Sequence, residues 1–289
     1  MKRSVLVFDA DDTLWMNEYQ YSQAYSEFFA YLYSQFKDCM PNLNAVKIRF
    51  DELDRALFPQ WGVKRGRVAE AMVQAFSELL EYFRVVYPMR RPPFQARRAL
   101  SPRRLERIEA EIRKIGDKPF RFRKLRWIPN AAHVIWELGW YQGNGVALLT
   151  SYDEKVWPKK ARRLFGDEMP FDRIRTVPGK KTKEDFVEVS GWGKHPDGIK
   201  FYAVGNGPSD LLPALEISDE WHAIYIPHGS TSAFFENHPG TNPYIPPPID
   251  DPRVLTIQHI RQMRCIDLAN FGLKHDLNKP CEKCALPSM

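Results

Sequence analysis

Four clusters of residues in the chain are of types that handle phosphate and hard cations. Asp9 and Asp11 stand two residues apart, just beyond the apolar run Ser4-Val5-Leu6-Val7-Phe8. Thr150 and Ser151 stand at the end of a second apolar run, residues 145–150. A third run, residues 201–205, opens into Gly205-Asn206-Gly207-Pro208-Ser209-Asp210. Lys180, Lys181 and Lys183 lie between the second and third. Two carboxylates at one strand tip repel each other unless a cation or a proton comes between them. Asp210 adds a third, and three acidic groups with the amide oxygen of Asn206 make a hard-oxygen set suited to Mg²⁺. A hydroxyl, backbone N–H groups and a lysine suit the oxygens of a phosphoryl group. One carboxylate can act as a nucleophile through a covalent aspartyl phosphate. A second can protonate the leaving group and then activate water.

The elements that must position these residues follow from the apolar periodicity. Residues 4–8, 145–150, 201–205 and 223–226 read as buried strands, and 173–177 as a short one. Helical spacing covers 17–36, 45–57, 66–84, 102–115, 130–139, 155–165 and 182–190. Buried strands alternating with helices imply an α/β fold, a parallel sheet covered on both faces. Ligands bind at the carboxyl ends of such strands, where the clusters above lie. The stretch 17–125 contains no convincing strand and reads as a helical insertion. Residues 1–16 and 126–270 then form the core, 17–125 a helical cap, and 271–289 a C-terminal tail. Tyr21, Tyr25, Phe28, Phe29 and Tyr33 read as cap packing, and His133 and Trp136 as packing on a core helix. Residues 227–253, rich in Pro, Gly and Asn, read as a long surface loop.

Composition narrows the class. Apolar residues are 44% and charged residues 27%, which excludes a disordered chain. No apolar run approaches the roughly 18 residues of a membrane span. Only a short apolar run follows the basic opening Met1-Lys2-Arg3, too short for a secretory signal. The expected location is the cytoplasm. Four cysteines make no disulfide framework. Cys265, His275, Cys281 and Cys284 form an irregular set for zinc, and free thiols are the simpler expectation. The net charge of +6 is unevenly spread: residues 84–126 carry 15 Lys and Arg against four Asp and Glu. That segment reads either as a solvated face or as a lure for a phosphate ester or a nucleic acid end.

Phe8-Asp9-Ala10-Asp11-Asp12-Thr13-Leu14 resembles motif I of the haloacid dehalogenase-like (HAD) superfamily, Asp-x-Asp-x-Thr after an apolar strand. Val146-Ala147-Leu148-Leu149-Thr150 resembles motif II, the Lys180–Lys183 cluster before Phe186 motif III, and Val204-Gly205-Asn206-Gly207-Pro208-Ser209-Asp210 motif IV. Gly205-Asn206, Ser209-Asp210, Pro213 and Ile226-Pro227 further resemble an uncharacterised subset of HAD hydrolases with Gly-Asn in motif IV. Trp61-Gly62-Val63 and Met72 are similar to that subset too.

The resemblance implies a Rossmann-like core with an inserted C1-type cap, and caps of this type close over small substrates. It implies Asp9 as nucleophile and Asp11 as general acid/base, with the Asp11 backbone carbonyl on Mg²⁺. Thr150 and the Ser151 N–H would hold the phosphoryl group. Lys181 is the favoured motif III lysine, with Lys183 and Lys180 as alternatives. Asn206 and Asp210 would complete the Mg²⁺ site with Asp9 and Asp11. Most HAD phosphatases have Asp where Asn206 stands, which implies weaker Mg²⁺ binding. The second aspartate points to a phosphatase or phosphomutase rather than a dehalogenase. The expectation is a Mg²⁺-dependent phosphatase for a small phosphomonoester. The alternative is a nucleic-acid-binding or end-processing protein that uses the basic cap segment.

Overall fold

The structure is a computed structural model of the chain, describing residues 3–36, 42–62, 64–86, 101–121, 125–152, 154–166, 168–227 and 249–274. The chain divides into two compact units, Met1–Glu18 with Leu125–Met289, and Tyr19–Lys124.

The first unit is built on six parallel strands. These are β1 (Ser4–Phe8), β2 (Gly145–Ser151), β3 (Arg173–Val177), β4 (Lys200–Gly205), β5 (Trp221–Tyr225) and β6 (Val254–Thr256). Their order in the sheet is β3-β2-β1-β4-β5-β6. The β-branched run Ser4-Val5-Leu6-Val7-Phe8 is buried throughout, as a central parallel strand covered on both faces must be. Alternate residues serve opposite faces. Val5, Val7, Ala147, Leu149, Phe201, Ala203 and Trp221 share one core with Phe186 and Val189 of the helix Lys183–Ser190. Each Val, Leu or Phe side chain among them taken fully out of water contributes roughly 1.5–3 kcal/mol.

In register, Val7 pairs with Ala147 of β2 and with Ala203 of β4. β1 is therefore flanked by β2 and β4, and the residues beyond the three strand ends are neighbours. An α/β structure with a Rossmann-like parallel sheet results.

Several elements depart from expectation. β6 is a sixth strand, three residues long and only partly buried, so it has no apolar run to announce it. The expected helix over 130–139 is α-helical only over Ala131–Trp136, and Glu137–Tyr141 continues as one π-helical turn. His133 and Trp136 do not pack inward: the His133 side chain is 68% exposed and Trp136 is 37% exposed. Of the expected loop, residues 228–248 lie outside the described residues.

The second unit contains four described helices, Glu18–Phe36, Leu43–Trp61, Arg67–Val86 and Pro102–Gly116, and no strand among its described residues. Phe28, Leu32, Phe50, Val68, Met72, Phe76, Ile108 and Ile112 form its core. On three of the helices they recur four residues apart, which gathers them into one stripe. Gly116 marks a close crossing: a Cβ there would lie 2.5 Å from Ala69 Cα. Tyr21, Tyr25 and Phe29 pack against this core, while Tyr33 is exposed.

Part of the basic segment is paired with acids of the same unit. Arg113 bonds Glu70, Lys114 bonds Glu111 and Lys118 bonds Glu27. Residues 87–100 and 122–124 of that segment lie outside the described residues. Among the described residues, no helix is long and apolar enough to cross a membrane.

Candidate active site

The turn after β1 carries the first cluster. Thr13 and Leu14 N–H groups both donate to the Ala10 carbonyl, at 3.3 and 2.8 Å. Asp12 takes a φ of 61° to make this turn, a conformation that Asp tolerates better than most residues. Its carboxylate is repaid locally by accepting from the Asn17 backbone N–H at 3.0 Å. The turn leaves Asp9 and Asp11 facing different partners.

Asp9 faces the ends of β4 and the motif III loop. Its Oδ1 accepts from Lys181 Nζ, and its Oδ2 accepts from the Thr13 hydroxyl at 3.0 Å. Lys181 Nζ also donates to Asp210 Oδ1 at 2.8 Å, so one ammonium bridges two carboxylates. The Thr13 hydroxyl lies 3.1 Å from Asn206 Oδ1 as well, and with one proton it serves one acceptor at a time. Gly205 makes this convergence possible. A Cβ at that position would lie 2.7 Å from Asp210 Cβ and 3.4 Å from Asp9 Cβ.

Two carboxylates, the buried Asp9 and the partly exposed Asp210, on one ammonium leave the group one positive charge short. Burial, and next the charge of Asp210, push the Asp9 carboxyl up to about 7, against the pull of Lys181. Burial works against the Lys181 ammonium, but Asp9 and Asp210 together outweigh it and hold its pKa above the ordinary lysine value.

Asp11 has a separate set of donors. Its Oδ1 accepts from Lys160 Nζ and from Trp15 Nε1, and its Oδ2 accepts from Asn17 Nδ2 at 3.0 Å. Lys160 belongs to the helix Trp157–Phe165 that follows β2. It is wholly buried, and burial lowers its pKa although Asp11 opposes the shift.

The motif residues thus divide. Asp9, Lys181, Asn206 and Asp210 are brought together, with Thr13 linking Asp9 to Asn206. Thr150 is buried at the end of β2, beside β1. The Ser151 hydroxyl is spent on the Gly179 carbonyl at 2.8 Å, which ties down the loop that carries Lys181. Lys180 and Lys183 are exposed, whereas Lys181 is buried. The difference has a local cause. Thr182 caps the helix Lys183–Ser190 in a capping box with Asp185, so Lys183 starts an exposed helical turn and Lys181 precedes the cap.

The expected gathering of three carboxylates is not formed. Among the described residues no three His, Cys, Asp or Glu side chains come together as a metal set, because the Asp11 carboxylate is turned to Lys160, Trp15 and Asn17. Asp9, Asp210 and the Asn206 amide oxygen still fit Mg²⁺ in donor chemistry. They are hard oxygens, and the charge deficit of the Asp9–Asp210–Lys181 group is of the sign a cation relieves. Cys265 is buried and disulfide-bonded, which corrects the free-thiol expectation for it and removes it from the zinc set. His275, Cys281 and Cys284 lie outside the described residues.

Sequence reasoning passed over Lys160, Trp15 and Asn17. A signal existed for Lys160. Trp157, Lys160, Ala161 and Leu164 lie at helical spacing on one stripe, and a lysine on an apolar stripe is unusual.

No family model and no curated protein sequence matches the chain. Solved structures do resemble it. A haloacid dehalogenase-like family hydrolase from Xanthomonas campestris is 21% identical over 90% of this chain and 88% of that chain, with a TM-score of 0.60. The HAD-hydrolase YfnB from Bacillus subtilis, solved bound to magnesium, is 16% identical over 94% of this chain and all of that chain, with a TM-score of 0.50. The likeness establishes that the chain has the haloacid dehalogenase-like fold.

Proposed function

We propose that the protein is a HAD-superfamily hydrolase, a Mg²⁺-dependent phosphatase acting on a small phosphomonoester through an aspartyl phosphate on Asp9. The carrying observation is Asp9 at the tip of β1, gripped by Lys181, with a second aspartate two residues on that is oriented by its own donors. In the first step an Asp9 carboxylate oxygen attacks phosphorus and the bond to the ester oxygen breaks. Asp11 gives that oxygen a proton. In the second step Asp11 takes a proton from water, the water oxygen attacks phosphorus, and the bond to Asp9 breaks. Inorganic phosphate leaves and the Asp9 carboxylate returns. Lys181 counters the phosphoryl charge and keeps Asp9 aimed, while Thr150 and the Ser151 N–H hold the phosphoryl oxygens. Mg²⁺, held by Asp9, Asn206, Asp210 and the Asp11 carbonyl, would offset the repulsion between the nucleophile and the phosphate. The magnesium in YfnB and that protein's description as a HAD-hydrolase support this reading.

The nucleic-acid reading has less support. Arg113, Lys114 and Lys118 of the basic segment already have acidic partners.

The test is a screen over sugar phosphates, nucleotides, phosphoamino acids and phosphorylated oligonucleotides, with and without Mg²⁺. Mg²⁺-dependent release of phosphate from at least one small ester, lost in Asp9→Asn, is expected. Release that persists in Asp9→Asn overturns the mechanism.

A further inference from the structure

Lys160 is the most unusual charged group among the described residues. It is fully buried on the inward stripe of Trp157–Phe165. Its ammonium lies 4.1 Å from the centre of the Tyr152 ring and 5.2 Å from that of Trp15, within reach for cation–π attraction. Its ion-pair partner is Asp11, whose side chain is 22% exposed. The same aspartate oxygen accepts from Trp15 Nε1, and the other accepts from Asn17 Nδ2. Trp15 is itself locked among Trp127, Trp157 and Phe165, at ring distances of 5.8, 6.1 and 5.9 Å. A carboxylate held by three donors on a packed aromatic base has little freedom to rotate. A buried lysine bonded to a charged side chain in this way is a strange device unless the orientation of that side chain matters. Burying an ammonium is costly, and apolar packing would do the structural work better.

We infer that Lys160 is a positioning residue for proton transfer. It holds the Asp11 carboxyl group in one orientation, with Trp15 and Asn17 as secondary supports. The inference rests on the phosphatase reading above. Its consequence is selective. Loosening Asp11 harms the chemical step and not substrate capture, and it harms most those esters whose leaving oxygen needs a proton.

The experiment compares Lys160→Met, which keeps the length and apolar stem, with the wild-type chain on an alkyl phosphate and on p-nitrophenyl phosphate. For the alkyl ester kcat is expected to fall on the order of 10–100-fold with KM nearly unchanged, since small misplacements cost rates of this size. For the nitrophenyl ester the fall is expected to be only a few-fold, because that leaving group departs well without a proton. In an Asp11→Asn background Lys160→Met is expected to change kcat less than about twofold, the signature of two residues acting as a unit. Asn17→Ala gives a second route that spares the buried lysine, and it is expected to give the same pattern at smaller amplitude. Equal losses on both esters, a loss in KM alone, or a loss that adds fully to that of Asp11→Asn would each overturn the inference while leaving the phosphatase reading intact. Absence of turnover by the wild-type chain on every ester would remove both.

Discussion

Gly205→Ala adds one methyl group where the site has no room for it. The new Cβ would sit 2.7 Å from Asp210 Cβ, and 3.4 Å from both Asp9 Cβ and Leu211 Cδ2. Ordinary van der Waals contact begins near 3.4 Å, so Asp210 must retreat by about 0.7 Å. The clashing atom is a Cβ, fixed to the backbone, and not the free end of a flexible chain. The φ of Gly205 is not in the left-handed region, so the change perturbs space and not backbone conformation. The retreat pulls Asp210 from Lys181, now at 2.8 Å, and disturbs the bridge to Asp9. Overpacking of this kind costs about 1–3 kcal/mol of stability. Displacement of reacting groups by nearly an ångström costs on the order of 100-fold in rate. The assay is phosphate release at saturating substrate, paired with thermal melting of the same preparation. The expected result is a kcat lowered by roughly 10–100-fold in a protein that still melts cooperatively. A folded Gly205→Ala protein with wild-type kcat would refute the claim that close approach of Asp9 and Asp210 matters.

Three further outcomes are expected. In the metal-free folded chain Asp9 keeps its proton up to about pH 7, against 3.8 for an ordinary aspartate. The folded state therefore binds the extra proton, and this stabilisation is full below the ordinary value and is lost as pH rises through about 7. Asp9→Asn escapes that loss, so its urea midpoint should gain on the wild type between about pH 4 and about pH 8, and a constant difference would contradict the assignment. Lys181→Met removes the buried ammonium shared by the buried Asp9 and the partly exposed Asp210, with an expected cost of up to about 3–5 kcal/mol at neutral pH by urea unfolding, part of which Asp210→Asn should restore. Gly116→Ala drives a methyl group into Ala69 and should cost about 1–3 kcal/mol by calorimetry, and an unchanged melt would show that this helix crossing can relax.

The parts of the fold that were legible are those whose residues say one thing at every level. The runs that became β1, β2 and β4 are apolar, and each ends abruptly in polar residues, so both the strand and its polar tip were readable. β6 was not, because Val254–Thr256 is short and only partly buried and its partner strand β5 is remote in the sequence. The lysine trio shows the limit of spacing. Lys180, Lys181 and Lys183 are alike by position, and the capping box at Thr182 separates them. Asp11 shows the limit of motif reasoning. Its type and place were clear, but the direction of its carboxylate depends on the left-handed Asp12 and on donors from Trp15, Asn17 and the remote Lys160. Packing, which no local pattern encodes, decided that direction.

The central claim is a covalent phosphoryl group on Asp9, and chemical trapping tests it directly. The wild-type chain is mixed with a substrate ester and Mg²⁺, quenched in acid, and reduced with borohydride, which converts an aspartyl phosphate to homoserine. Peptide mass spectrometry is then used to locate the change. The account predicts homoserine at position 9 during turnover, and none there when substrate is omitted. Active turnover that leaves Asp9 unmodified, or a trapped group on another residue, would contradict it.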